Sequence, residues 1–267
     1  MIGIVGHMSG GKTYSAVADM LERLLDGHVV VTNIKLRCQG VTDYLGVPCC
    51  SWKKNYYYLT ETPKGYHEIS LLDYENYPMG TPRGESGYYE NLVYIYFDEV
   101  SSVFDSITHS ASKGIQEVAT WARHTEKRGQ MMYLIMQFST ELHKRLRNHV
   151  TEYITCVNSS NIKLPILHIG LPFFLKGYVI QSRFAGDEET PLGSSHWIPI
   201  QPKIYDCYYT GQIVFGSQVG RTVEKVTFDF QYRRVRQWLK LLIIVLVLTI
   251  LNMLLCSLCL RFFSSMF

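Results

Sequence analysis

The sequence predicts an α/β domain built on a parallel sheet, followed by a C-terminal transmembrane helix. Three observations carry this. An apolar run, Met1 to Val5, enters a glycine-rich stretch, Gly6 to Thr13, which opens an amphipathic helix. Strand-like and helix-like segments then alternate as far as Val157, the pattern of parallel strands joined by crossover helices. Finally, Leu241 to Leu260 holds twenty residues and no charge. At about 1.5 Å per residue it spans roughly 30 Å, the thickness of a bilayer's hydrocarbon core.

The elements follow in order. Met1 to Val5 reads as a buried strand. Tyr14 to Leu25 places Val17, Met20, Leu21, Leu24 and Leu25 at helical spacing, and Gly27 stops it. His28 to Val31 is a second strand. Residues 36–90 resist assignment: they are rich in tyrosine and carry an exposed-loop signature from Tyr77 to Gly87, so they are treated as an insertion. Leu92 to Phe97 is a strong β run, Gly114 to Lys127 a helix, and Gln130 to Met136 another buried strand. Thr140 to Arg147 reads as a short basic helix and Tyr153 to Val157 as a strand. From 160 to 220 the pattern weakens, broken by prolines. Val226, Phe228, Phe230 and Tyr232 alternate with polar residues, which fits either a strand or the approach to a helix.

Composition narrows the class. With 267 residues, 47% hydrophobic and 18% charged, the chain can bury a sizeable core. A formal charge of +3 is too small for a protein that coats nucleic acid. Cys38, Cys49, Cys50, Cys156 and Cys207 have no repeated C-x-x-C spacing, so neither a zinc site nor a disulfide framework is expected, and the soluble part reads as cytosolic and reduced. The start of the chain lacks the basic n-region of a secretory signal.

Gly6-His7-Met8-Ser9-Gly10-Gly11-Lys12-Thr13 fits G-x-x-x-x-G-K-[ST] without a mismatch. The motif lies between a strand and a helix, the context it requires. Its glycines let successive N–H groups turn toward phosphate oxygens, and the helix beginning there, with Tyr14 in its first turn, adds its positive end. Lys12 is expected to reach the β- and γ-phosphates of ATP, and the Thr13 hydroxyl to bind Mg²⁺. Asp98 and Glu99 end the Leu92–Phe97 run. Asp98 is expected to hold Mg²⁺, and Glu99 to orient or deprotonate the attacking water. At least one strand, His28 to Val31, lies in sequence between the two motifs. With the extra glutamate, this resembles the additional-strand, catalytic-glutamate division of P-loop NTPases, which implies a RecA-like core and ATP as the nucleotide.

Two weaker candidates remain open. Gln137 ends a strand, where the resemblance to that division implies a polar residue contacting the γ-phosphate or the attacking water, and the alternative is an ordinary strand-end glutamine. Arg123, His124 and Arg128 either form a solvated basic face, the plainer alternative, or supply an arginine finger to a neighbouring subunit, with Arg123 carried as that candidate.

Arg233, Arg234, Arg236 and Lys240 precede the apolar run and Arg261 follows it, so the positive-inside rule keeps residues 1–240 in the cytoplasm. The expected organisation is a nucleotide domain over 1–210, a basic juxtamembrane segment over 211–240, a span over 241–260 and a short extracytoplasmic tail over 261–267.

Together, Gly6 to Thr13, Val29-Val-Val-Thr-Asn33, Val93 to Glu99, Trp121-Ala-Arg-His124, Leu134-Ile-Met-Gln137 and the single span resemble the Zot (zonula occludens toxin) N-terminal domain family, which includes the morphogenesis ATPase of filamentous phages. The resemblance implies an inner-membrane ATPase that drives assembly and extrusion of filamentous virions. It would act as a homo-oligomer with phage coat and assembly proteins at the host inner membrane, with nucleic-acid contact left open. Larger members continue into an exported domain, whereas here seven residues follow the span. The alternatives are a membrane-tethered DNA translocase or packaging ATPase of the same core, and a nucleotide-binding scaffold without turnover, against which Glu99 argues.

Overall fold

The computed structural model describes residues 1–71, 73–83, 89–100, 113–162 and 177–209, the side chains of 113–116 excepted. Chain order begins β1 (Ile2–Val5), α1 (Lys12–Leu25), β2 (Val29–Thr32), α2 (Cys38–Leu45), α3 (Cys49–Lys53), β3 (Tyr56–Thr60), β4 (Glu68–Ser70), β5 (Thr81–Pro82), β6 (Tyr89–Asn91) and β7 (Val93–Phe97). It continues with α4 (Lys113–His124), β8 (Gln130–Ile135), α5 (Lys144–Arg147), β9 (Glu152–Asn158), β10 (Tyr178–Ala185), β11 (His196–Pro199) and α6 (Pro202–Tyr205). Among the described residues these make a mixed α/β fold around a nine-stranded sheet in the order β11-β10-β9-β1-β8-β7-β2-β3-β4, with β5 and β6 paired apart from it. Seven neighbouring strands, β9 through β4, run parallel, and β10 and β11 add antiparallel at one edge.

β7 shows why the sheet sits where it does. All five residues of Val-Tyr-Ile-Tyr-Phe are buried, as expected of a parallel strand covered on both faces. The period of two sends Tyr94 and Tyr96 into the core shared with α1, and Val93, Ile95 and Phe97 into the core shared with α4. On the first face α1 buries Val17, Met20, Leu21 and Leu24, each contributing about 1.5–3 kcal/mol of transfer free energy. On the other, Val118, Trp121 and Ala122 of α4 and Leu146 of α5 close the layer.

Several expectations need correction. The strand separating β1 from β7 in space is β8, whereas β2, which lies between them in sequence, sits beyond β7. Within residues 36–90, which resisted assignment, β3 and β4 extend the sheet in parallel, and the Tyr56 hydroxyl, buried, accepts from the Leu36 N–H (3.1 Å) and donates to the Ile34 carbonyl (2.9 Å). Tyr77, expected in an exposed loop, is buried and donates to the Leu71 carbonyl at 2.6 Å. Cys38 and Cys49 form a disulfide, contrary to the expectation of reduced cysteines; the topology sets the first residues of α2 and α3 side by side, with a Cα–Cα distance of 6.1 Å, which spacing along the chain could not show. The 140–147 helix divides into a 3-10 turn (Ser139–Glu141) and the single turn α5, because Leu142 and His143 are extended between them. The weakly patterned stretch after 160 contains β10, β11 and α6, the last starting at Pro202 in the first helical turn, where proline's fixed φ is favourable.

Among the described residues, no helix is long and apolar enough to cross a membrane. The expected juxtamembrane segment, span and tail, and the alternating Val226–Tyr232 stretch, lie outside those residues.

Candidate functional site

The site lies at the C-terminal ends of β1, β7 and β8. Gly6 to Gly11 link β1 to α1, and the loop is pressed onto the neighbouring strands. A Cβ on Gly6 would stand 2.4 Å from the Cys156 carbonyl oxygen, backbone that cannot yield. Gly11, at the N-cap of α1, has φ 90°, and a Cβ there would stand 2.6 Å from Val179 Cγ2. Only glycine fits both constraints. The loop is further tied by the Gly6 N–H donating to the Gln137 carbonyl (3.3 Å), the Gly10 N–H to the His7 carbonyl (3.0 Å) and Asn161 Nδ2 to the Ser9 carbonyl (3.4 Å). Ser9 takes a left-handed φ of 59°. The His7 ring packs edge-on to Phe138 at 5.8 Å, and Met8 is 77% exposed at the mouth. Burial pushes the Cys156 thiol up to about 11, so beneath the loop it is a neutral packing group.

Lys12 Nζ curls into the loop and donates to the carbonyls of Gly6 (2.7 Å) and His7 (3.0 Å). Burial lowers its pKa, opposed by the charge of Asp98. Thr13 Oγ1 donates to Asp98 Oδ2 at 3.0 Å, bringing together side chains 85 residues apart. Burial pushes the Asp98 carboxyl up to about 6, against the Thr13 hydroxyl bond, which lowers it. A hydroxyl and a carboxylate converging beside a lysine suit Mg²⁺ bound jointly with phosphate oxygens. Three features therefore fit a nucleoside triphosphate and its metal: the glycine cradle, the lysine and the Thr13–Asp98 pair.

Asp98 is held from behind. Asn33 Oδ1 accepts from the Asp98 N–H at 2.7 Å, and Asn33 Nδ2 donates to the Asp98 carbonyl at 2.9 Å. Glu99 follows with a left-handed φ of 51°, its side chain exposed and its N–H donating to Asp98 Oδ1 at 3.0 Å. Gln137 lies at the base of the loop, exposed, its N–H donating to Glu141 Oε2 at 3.2 Å. Sequence reasoning missed Glu141 and Asn161 here. Asn33 was visible only as part of a Thr-Asn pair after the second strand.

Two candidates are not brought to the site. The Tyr14 side chain is buried, and its hydroxyl accepts from the Gln201 N–H (2.8 Å) and donates to the Pro199 carbonyl (3.1 Å). As a nucleotide contact, Tyr14 is thus reduced to its backbone. Arg123 ends α4, which leads into the opposite, N-terminal end of β8. There Arg123 Nε donates to His149 Nε2 at 3.1 Å, next to the start of β9. Arg123 cannot serve the site of its own chain.

The sequence profile described as Zonular occludens toxin (Zot) matches residues 1–167. No curated protein matches. Among solved structures, the chain is similar to the N-terminal domain of zonular occludens toxin from Neisseria meningitidis, at 18% identity and TM-score 0.48, covering 78% of this chain and 97% of that one. It is also similar to the genome packaging NTPase B204 from Sulfolobus turreted icosahedral virus 2 in complex with ATP-gammaS, at 13% identity and TM-score 0.39, covering 75% of this chain and 98% of that one.

Proposed function

Because the chain belongs to the Zonular occludens toxin (Zot) family, we propose that it is a membrane-anchored ATPase that drives assembly and extrusion of filamentous phage virions through the host inner membrane. The observation that carries the ATPase part is the Thr13–Asp98 hydrogen bond of 3.0 Å beside Lys12, at the open end of the phosphate loop. The position of β8 between β1 and β7 supports the additional-strand, RecA-like division of P-loop NTPases. Membrane anchoring rests on the uncharged run Leu241 to Leu260 and its basic N-terminal flank; export rests on family membership.

The loop N–H groups would hold the phosphates, and Lys12 would leave its two carbonyls to meet the β- and γ-phosphate charge. Thr13 and Asp98 would hold Mg²⁺, which when bound neutralises charge on the phosphate oxygens. Glu99 would take the proton from the water that attacks the γ-phosphorus as the bond to the ADP oxygen breaks. Gln137, at the base of the loop, would orient that water. Partners of the assembly would be further copies of the chain and phage coat and assembly proteins.

The test is ATP binding and turnover by the full chain in detergent. Lys12→Ala should keep the melting temperature and lose at least about tenfold in ATP affinity, since it removes a charge-assisted contact. Unchanged affinity in a folded Lys12→Ala protein would sink the site assignment. Turnover stimulated by DNA, but not by coat protein, would redirect the proposal to a DNA translocase.

A further inference from the structure

We infer that Asn33 is a positioning residue for the acidic pair: by clasping the Asp98 backbone it aims both the Asp98 carboxylate and Glu99. The inference rests on the nucleotide reading of the site.

Strand β2 pairs in parallel with β7 as far as Thr32 opposite Tyr96. One residue later the ladder is taken over by a side chain. Asn33 presents a planar amide in place of a peptide and exchanges two hydrogen bonds with the Asp98 backbone, one through its N–H (2.7 Å) and one through its C=O (2.9 Å). An aspartate or a leucine at position 33 lacks the paired donor and acceptor. Asn33 is 3% exposed, so water cannot replace either bond. Thr32 Oγ1 accepts from the Ile34 N–H at 3.0 Å and turns the chain so that the amide faces β7.

The consequence falls on the two residues that would do the chemistry. With its N–H and C=O both fixed, Asp98 has little torsional freedom left, and its carboxylate points at Thr13 (3.0 Å). The peptide held by Asn33 is also the one that leads into Glu99, whose left-handed φ of 51° is unfavourable for a residue with a Cβ. Such a conformation persists only where its surroundings over-determine it, and the clasp supplies that constraint. The Asn33 side chain bonds the Asp98 backbone. It acts through Asp98.

The test uses the full chain in detergent, as wild type, Asn33→Ala and Asn33→Ser, the serine keeping one polar atom and asking less of the fold. Three readouts separate the possibilities: binding of a fluorescent ATP analogue in excess EDTA, Mn²⁺ affinity by EPR in the presence of a non-hydrolysable ATP analogue, and kcat with Mg²⁺. We expect metal-free nucleotide affinity within twofold of wild type, Mn²⁺ affinity and kcat each lower by tenfold or more in Asn33→Ala, and smaller losses in Asn33→Ser. Normal Mn²⁺ affinity and kcat in a variant with a lowered melting temperature would overturn the inference, because a merely structural asparagine does that. If the wild type binds neither the ATP analogue nor Mn²⁺ with nucleotide, the nucleotide reading has failed, and the inference falls with it.

Discussion

The two halves of the sheet are built by different rules. On the side of β1, β8 and β7, short motifs dictate geometry: an eight-residue loop and one acidic pair meet within a 3.0 Å hydrogen bond although they lie 85 residues apart. Beyond β2, on the side of β3 and β4, the fold depends on buried tyrosine hydroxyls that satisfy backbone groups locally, Tyr56 on residues 34 and 36, and Tyr77 on residue 71. The first half carries chemistry that tolerates few residue types. The second carries stability that many sequences could supply, which is why it left no motif.

Substitutions can break this division or sharpen it. The largest effect belongs to the chemical half. Glu99→Gln, which keeps a hydrogen-bonding side chain but removes the carboxylate proposed as the base, should lower kcat by about 10²–10⁴-fold with ATP affinity unchanged; steady-state turnover beside equilibrium binding checks it, and normal turnover would place the base elsewhere. Next is the structural half. Tyr56→Phe leaves the Leu36 N–H and the Ile34 carbonyl unpaired in the core, so stability should fall by about 1–3 kcal/mol and the melting temperature by about 5 °C, with kcat within twofold. A loss of kcat without a loss of stability would show that the halves are coupled. The smallest effect is expected at Arg123→Ala: its guanidinium sits at the far end of the strands against His149, so the turnover of dilute chain should stay within twofold. If turnover instead rises steeply with protein concentration in the wild type but not in the variant, Arg123 acts on a neighbouring copy.

The same contrast explains what was legible beforehand. Gly6, Gly11, Lys12 and Thr13 could be read because a phosphate cradle needs particular residues at particular spacings, and the apolar runs of β1, β7 and β8 could be read because strands buried on both faces are apolar throughout. Tyr56, Tyr57 and Tyr58 could not, since tyrosine is at home on either face of a strand and so masks the period of two. β10 was hidden because Tyr178 to Ala185 mixes Gln181, Ser182 and Arg183 into a half-covered strand. The Tyr14 hydroxyl and the Asn33 amide find partners 187 and 65 residues away, distances over which a single sequence carries no pairing signal. Cys38 and Cys49 are close for the same kind of reason: two helix starts meet in space, and spacing alone does not announce it.

The walls of the phosphate loop also set a time at which the site can exist. The loop is made of residues 6–13, but its floor is the Cys156 carbonyl and one side is the Val179 side chain. A chain emerging from the ribosome therefore displays its glycine motif long before anything can shape it. At about 5–20 residues per second, roughly ten seconds to half a minute pass between the synthesis of Lys12 and that of Val179. During that interval the nascent chain holds the complete motif but not the Val179 side chain against which Gly11 packs.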